Sequence, residues 1–139
     1  MIWCVVGSFA DQVKRHEVDT LRKMDIALRK ISLEVFARVI MKSPVDIGRF
    51  RGNWQVAIGS APNGTLEIDD KTGTATISKA DAALIGANAG DVIYLANNMP
   101  YATRLEEGYS QKAPQGMVAL TVQEFSDIVG EIGIELSRQ

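Results

Sequence analysis

Residues 43–54 read SPVDIGRFRGNW and separate a helical pattern from a strand pattern. Because a residue that precedes a proline is disfavoured in helical geometry, Pro44 predicts that the helix before it ends near Lys42. Glycines mark the middle of the segment as a turn. From Trp54 to Ile58 the large apolar side chains alternate with smaller or polar ones, which is typical of a strand with one buried face. This segment therefore predicts the junction between a main helix and a sheet.

Upstream of this junction, residues 8–42 carry the pattern of one long helix. Ser8 is a candidate N-cap residue, and Asp11 follows three residues later as in a capping box. At 1.5 Å per residue the helix is on the order of 50 Å long, so we expect it to project or to pack against copies of itself. The apolar residues 1–7 are predicted to form an arm that adds a strand or contacts a neighbouring subunit. The apolar residues of the long helix recur at mostly three- and four-residue steps on one face: Val13, Leu21, Met24, Leu28, Ile31, Val35 and Val39.

Downstream of the junction the sequence predicts about four strands within a sheet region at 52–96. The strand candidates are Trp54–Ile58, a segment around Leu66 and Ile68, Thr74–Ile77, and Asp91–Ala96. Residues 69–73 are predicted to form a hairpin connection, and residues 80–87 fit either a short helix or a loop.

Two further helices are predicted after the sheet region. A short one covers 100–107, where Pro100 suits the first turn and Gly108 ends it. A C-terminal helix covers 117–136. We therefore expect a single α+β domain, 1–139, in which the long N-terminal helix and the C-terminal helix pack on a small, mainly antiparallel sheet. The apolar face of the C-terminal helix is marked by Val118, Val122, Phe125, Val129 and Ile132.

The composition narrows the functional classes. With 139 residues, 46% hydrophobic and 23% charged, the chain has the balance of a globular domain. A net charge of -2 lacks the basic excess of a typical nucleic-acid-binding domain. The single cysteine, Cys4, allows no internal disulfide, and with a single histidine we expect no metal site and no cofactor. The apolar start is too short for a signal peptide or a membrane span.

Catalytic residues are not predicted. His16, the only candidate base of its type, lies among charged residues on the long helix, and Cys4 lies in an apolar stretch. Glu106 and Glu107 are neighbours on a helix and point in different directions, so they do not form an acid–base pair. Arg49 and Arg51, next to aromatic residues, allow two interpretations. They either bind single-stranded nucleic acid or, as we favour, flank an edge strand and pair with acidic residues.

A second distinctive segment, residues 94–118, reads YLANNMPYATRLEEGYSQKAPQGMV. Together with residues 43–54 it resembles the HK97-type tail-component family of tailed bacteriophages, also described as head–tail joining, neck or tail-completion proteins. The resemblance runs in order from about residue 9 to residue 128, and Ile47 stands where the family pattern has threonine.

The resemblance implies a structural virion protein, assembled in the cytoplasm of the bacterial host. It implies a hexameric or related ring at the head–tail interface. It also implies other connector, tail-terminator or tail-tube proteins as partners, and no membrane. One alternative is a DNA-contacting channel component in which Arg49 and Arg51 line the path of the DNA. Another is a small hydrolase with a pocket near His16 or Glu106.

Ten residues are candidates for shaping the two segments or the subunit interfaces. The three tyrosines among them have the large area and polar end that favour interfaces, although they also suit one edge of a core. Asn97 and Asn98 are in addition candidate caps for the short helix. The ten are Asp46, Arg49, Arg51, Trp54, Tyr94, Asn97, Tyr101, Glu106, Tyr109 and Gln111.

Overall fold

A computed structural model describes the backbone of residues 2–138 and the side chains of residues 9–138. Its helices are α1 (Ile2–Lys42), α2 (Arg49–Gly52), α3 (Thr74–Leu84), α4 (Ala102–Glu106), α5 (Val118–Gln123) and α6 (Phe125–Ser137). Its strands are β1 (Trp54–Ile58) and β2 (Ile93–Asn97), and they pair antiparallel with Trp54 opposite Asn97. The fold is therefore α+β with a small antiparallel sheet, as the sequence predicts.

The first helix is longer than predicted. It continues without a break from Ile2, so residues 2–7 belong to α1 and do not form a separate arm, and Ser8 is not its cap. No proline lies in this stretch, and the single Gly7 costs a helix only about 1 kcal/mol relative to alanine. The other end lies where Pro44 predicts it, at Lys42.

The prediction of about four strands was wrong, because residues 59–73 contain no strand and Thr74–Leu84 form α3. The physical reason is Asp70, which was assigned to a hairpin turn. One of its carboxylate oxygens accepts from the Gly73 N–H at 3.0 Å, and the other accepts from the N–H and the hydroxyl of Thr76 at 2.8 and 2.6 Å. These bonds satisfy N–H groups in the first turn of α3 and favour helix over the alternating strand pattern.

The core consists of two adjoining clusters. One contains Phe36 of α1 and Leu84 of α3, against which the sheet residue Val56 packs. The other gathers residues of α1, α2, β1 and the loop before α5: Val39, Ile40, Phe50, Trp54, Ala113 and Met117. Because Leu95 of β2 packs against both, the two clusters form a continuous apolar interior under the second half of α1.

The C-terminal helix packs differently from the prediction. It is divided at Glu124 into α5 and α6, and α6 packs on α1. Glu124 accepts hydrogen bonds from Arg38 and Lys42, and the buried Thr121 lies one turn before it. The helices are turned about their axes relative to the predicted buried face, and this rotation buries Ile128 and Ile132. Of the five residues predicted to mark the buried face, Ile132 alone is buried, and the other four are exposed: Val118, Val122, Phe125 and Val129.

Candidate functional site

The two segments that the sequence singles out lie together, and we call residues 43–54 and 94–118 the motif junction. β1 and β2 place Trp54 opposite Asn97, and the Asn97 side-chain amide donates to the carbonyl oxygen of Phe50 at 2.9 Å. The Asn97 carboxamide oxygen also accepts from the Met99 N–H at 3.2 Å, just before α4. The site is therefore one packed unit made of two distant stretches of sequence.

Arg51 holds the centre of the motif junction. Its guanidinium is buried and donates to the carbonyl oxygens of Lys71 at 2.7 Å, Met41 at 2.8 Å and Ser43 at 2.9 Å. Burial lowers the pKa of Arg51, and the nearby carboxylate of Asp70 opposes that shift. The side chain thus connects the end of α1 to the loop before α3.

Trp54 fixes the same corner from the other side. Its indole N–H donates to the Ser43 hydroxyl at 2.7 Å, and that hydroxyl donates to the carbonyl oxygen of Val39 at 3.0 Å. The ring of Phe50 lies edge-on to Trp54 at 5.9 Å and tilted against Tyr101 at 5.8 Å. Aromatic contacts therefore join the first segment to the start of α4.

Glu106 organises the second segment. Its carboxylate accepts from the backbone N–H groups of Met117, Val118 and Ala119 at 2.9–3.0 Å, at the start of α5. Burial alone raises the pKa of Glu106, but the three hydrogen bonds outweigh it and hold the pKa below its usual value. Gly116 (φ +83°) allows this approach, because a Cβ there would lie 2.5 Å from the Glu106 carbonyl oxygen.

Two buried polar residues were not among the candidates: Asn53 lies within the junction and Asp70 lies outside it. Asn53 is fully buried, and its carboxamide bonds the carbonyl oxygens of Arg49 and Leu66 and the N–H of Leu66. Asp70 anchors α3, as described above. The strand pattern placed Asn53 on the solvent side of β1, and no local signal shows that residues 64–68 cover it.

The remaining candidates lie at the surface of the junction. Arg49 forms an ion pair with Asp69 that lowers the pKa of that carboxyl group. Asp46 and Gln111 are exposed. A groove of about 470 Å³ separates the two segments and is lined by residues such as Asp46, Arg49 and Tyr101. Arg49 is therefore paired with an acidic residue, as the favoured interpretation expects. For Arg51 that expectation was wrong, because its guanidinium binds backbone carbonyl oxygens.

The three tyrosines do not form one cluster. Tyr101 contacts Phe50, whereas the guanidinium of Arg104 lies 4.3 Å from the ring centre of Tyr109. Tyr94 lies on β2 opposite Ala57. All three are exposed, Tyr109 most of all at 72%. Neither asparagine caps α4: Asn97 accepts from the Met99 N–H, and Asn98 donates to the carbonyl oxygens of Pro62 and Gly64.

The two residues named for a hydrolase each line a surface groove, of about 580 Å³ at His16 and about 340 Å³ at Glu106. His16 is exposed on the first half of α1, and Glu106 binds backbone N–H groups. Among the described residues, no three His, Cys, Asp or Glu side chains are placed to share a metal ion. None of the described helices is both long and apolar enough to cross a membrane.

Comparisons of the chain with protein-family models, with curated proteins and with solved structures gave no significant match.

Proposed function

We propose that this chain is a structural subunit of a tailed-bacteriophage particle and forms a ring at the head–tail interface. The observation that carries the proposal is that the polar side chains of the motif junction are occupied by hydrogen bonds to the backbone. Arg51, Asn53 and Glu106 all bind backbone groups and hold one rigid corner, while large apolar side chains outside it remain exposed. A rigid body with uncovered apolar surface suits assembly with other subunits.

The proposed assembly is a homo-oligomer, hexameric or a related ring, within the virion and built in the host cytoplasm. Its neighbours along the particle axis are connector, tail-terminator or tail-tube proteins. The two segments quoted from the sequence support this class by their resemblance to the tail-component family. The first half of α1 supports it physically, because residues 9–24 extend beyond the packed core.

The DNA-channel alternative has less support. Arg51 is buried against three carbonyl oxygens, and Arg49 is paired with Asp69, so neither guanidinium is free for a phosphate. The hydrolase alternative is also less favoured. The Glu106 carboxylate is occupied by three N–H groups, and its lowered pKa is the opposite of what a general acid at neutral pH needs.

Two measurements test the proposal. Light scattering of the purified chain over a wide range of concentrations should show a mass that rises from 15.1 kDa towards that of a closed ring. A phage genome with a stop codon in this gene should give DNA-filled heads and tails that remain separate, and the chain supplied in trans should restore joining. Intact, infectious particles made without the chain would overturn the proposal.

A further inference from the structure

The first half of α1 presents apolar side chains to solvent, and we call residues 9–24 the projecting half. All its side chains except Asp19 are exposed, whereas every side chain from Asp25 to Ile40 is partly or fully buried. Its large apolar residues are 50–67% exposed, and a helix with this much apolar surface normally packs against something. These residues are Phe9, Val13, Val18, Leu21 and Met24.

The projecting half continues a surface that is covered farther along α1. The ion pairs Arg38–Glu124 and Lys30–Glu135 show that α6 runs antiparallel to α1 and covers it as far as Lys30. α6 ends at Ser137. Beyond that point α1 carries the same kind of apolar side chains with no described element over them. The uncovered surface is thus an extension of a helix–helix contact the chain already makes.

A second uncovered apolar surface lies on α5 and α6, and we call it the outer stripe. It consists of Val118, Val122, Phe125 and Val129, which follow each other at four-, three- and four-residue steps and are 37–64% exposed. Because Glu124 between the two helices keeps near-helical backbone angles (φ -86°, ψ -4°), these spacings put the four residues on one face. The rest of that face carries small residues: Ala119, Ser126, Gly130 and Gly133.

We propose that the projecting half of one subunit packs on the outer stripe of the next subunit. This inference rests on the proposed ring and names its two contact surfaces. Each subunit would use two different surfaces on two different neighbours, which is the heterologous arrangement that closes into a ring. We call this contact between a projecting half and an outer stripe the joint. The joint covers both apolar surfaces, whereas pairing of two projecting halves would leave every outer stripe exposed.

The area is sufficient for a specific contact. From their exposed fractions, the large side chains of each surface present on the order of 300 Å² of apolar area. A joint of the two then buries about 600 Å² of apolar surface. Since interfaces are about 60% apolar, this corresponds to about 1,000 Å² in total, the lower limit for a specific protein–protein interface.

The segments that carry the two surfaces differ in net charge. Residues 9–24 contain four basic and three acidic residues, a net charge of +1 with His16 neutral. Residues 118–137 contain four acidic residues and no basic residue, a net charge of −4. Within the subunit α1 already pairs Lys30 and Arg38 with this acidic region. Three of the four carboxylates, Glu124, Glu131 and Glu135, are therefore paired within the subunit, so charge contributes little to the contact between subunits and the apolar area carries it.

The first test places a charge on each surface. Val13→Asp and Val122→Asp should each weaken self-association at least tenfold in sedimentation velocity and leave the melting temperature of the monomer unchanged. Val92→Asp is the matched control, because Val92 is a similarly exposed valine outside both surfaces at 57%. It should associate like the unmodified chain. Loss of association in Val92→Asp, or normal association in Val13→Asp, would overturn the inference.

Mixing the two variants is the decisive measurement. Val122→Asp keeps an intact projecting half, and Val13→Asp keeps an intact outer stripe. An equimolar mixture should therefore form one joint per pair and stop at a mass of twice 15.1 kDa, while each variant alone stays monomeric. Pairing of projecting halves predicts no joint between the two variants, and Val122→Asp alone would then still dimerise. That result would overturn the inference.

A cross-link separates this inference from the ring itself. In a Cys4→Ser background, Val13→Cys and Val122→Cys chains should form a mixed disulfide when oxidised together, and few disulfides alone. If the unmodified chain forms rings but the mixed disulfide is absent, the named surfaces are wrong and the ring stands. If particles join without the chain although the mixed disulfide forms, the surfaces stand and the phage function falls. A monomer at every concentration would overturn the pairing.

Discussion

The guanidinium of Arg51 donates to the carbonyl oxygen of Ser43 at 2.9 Å, so α2 holds the residue that directly follows the last residue of the long helix, Lys42. The same nitrogen also donates to the carbonyl oxygen of Met41 at 2.8 Å. Carbonyl groups at the end of a helix lack partners within the helix, and Arg51 supplies a donor to Met41 from ten residues downstream and to Ser43 from eight. The direction in which α1 leaves the core therefore depends on this side chain.

Replacing Arg51 by alanine should destabilise the fold strongly. Three carbonyl oxygens would lose charge-assisted hydrogen bonds, so we expect a loss of about 3 kcal/mol in the free energy of unfolding and about 10 °C in Tm. Urea denaturation measures this directly. Arg22→Ala is the control, because Arg22 is exposed and pairs with Asp19 alone, and it should cost less than about 0.5 kcal/mol. Equal effects of the two substitutions would contradict the role assigned to Arg51.

Gly48 should tolerate no side chain. Its φ is +91°, and a Cβ there would lie 2.6 Å from the backbone of Asp70 and Lys71. Gly48→Ala adds steric overlap to the cost of the left-handed conformation, so we expect a loss of more than about 2 kcal/mol. Gly64 has φ +79° but open space around it, and Gly64→Ala should therefore lose about 1 kcal/mol. Thermal unfolding of both variants separates overlap from strain, and similar losses would show that the approach to Asp70 is unimportant.

Much of the fold is readable from local signals, and the rest depends on distant contacts. Pro44 ends α1 where its geometry requires, and the alternation from Trp54 identifies β1 correctly. The segment at 74–77 alternates just as well, yet it is helical because Asp70 binds the first turn of α3. Periodicity cannot show a side-chain cap of this kind, since Asp70 suits a turn equally well.

The candidate site likewise combines features that local sequence signals predict with features that depend on distant contacts. The sequence singles out residues 43–54 and 94–118, and the structure brings them together. The sequence does not show which of their polar residues face inward. Arg51 and Asn53 belong to a run of five consecutive buried residues, 50–54, and neither the strand period nor the helix period predicts such a run. Each side chain has one partner residue in the loop at 64–72, Lys71 for Arg51 and Leu66 for Asn53, so their burial depends partly on contacts that are remote in sequence.

Glu106 should make the stability depend on pH. Its pKa is lower in the folded state than in the unfolded chain, so its contribution is complete above the unfolded pKa and is lost as the pH falls through the folded pKa. We expect the free energy of unfolding to decrease from about pH 5 downward. Glu106→Gln should be less stable at pH 7 and should lose less stability than the unmodified chain on acidification.

The neighbouring carboxylate provides the control for that experiment. Glu107 is exposed, and Glu107→Gln should leave both the stability at pH 7 and its pH dependence unchanged. Chemical denaturation at pH 7, 5 and 3.5 gives the comparison. A Glu106→Gln profile parallel to that of the unmodified chain would mean that the carboxylate does not bind the N–H groups at the start of α5.

The rotation of the C-terminal helices predicts opposite outcomes at two residues that the sequence pattern treats differently. Val122 belongs to the predicted buried face but is 64% exposed, whereas Ile128 lies outside that face and is fully buried. Ile128→Ala should cost about 3 kcal/mol, because it leaves a cavity against α1. Val122→Ala should cost less than about 0.5 kcal/mol in dilute solution, where subunits are separate. If Val122→Ala proved the more damaging change in dilute monomer, α5 and α6 would pack on the face that the sequence pattern predicts, and the outer stripe would not exist.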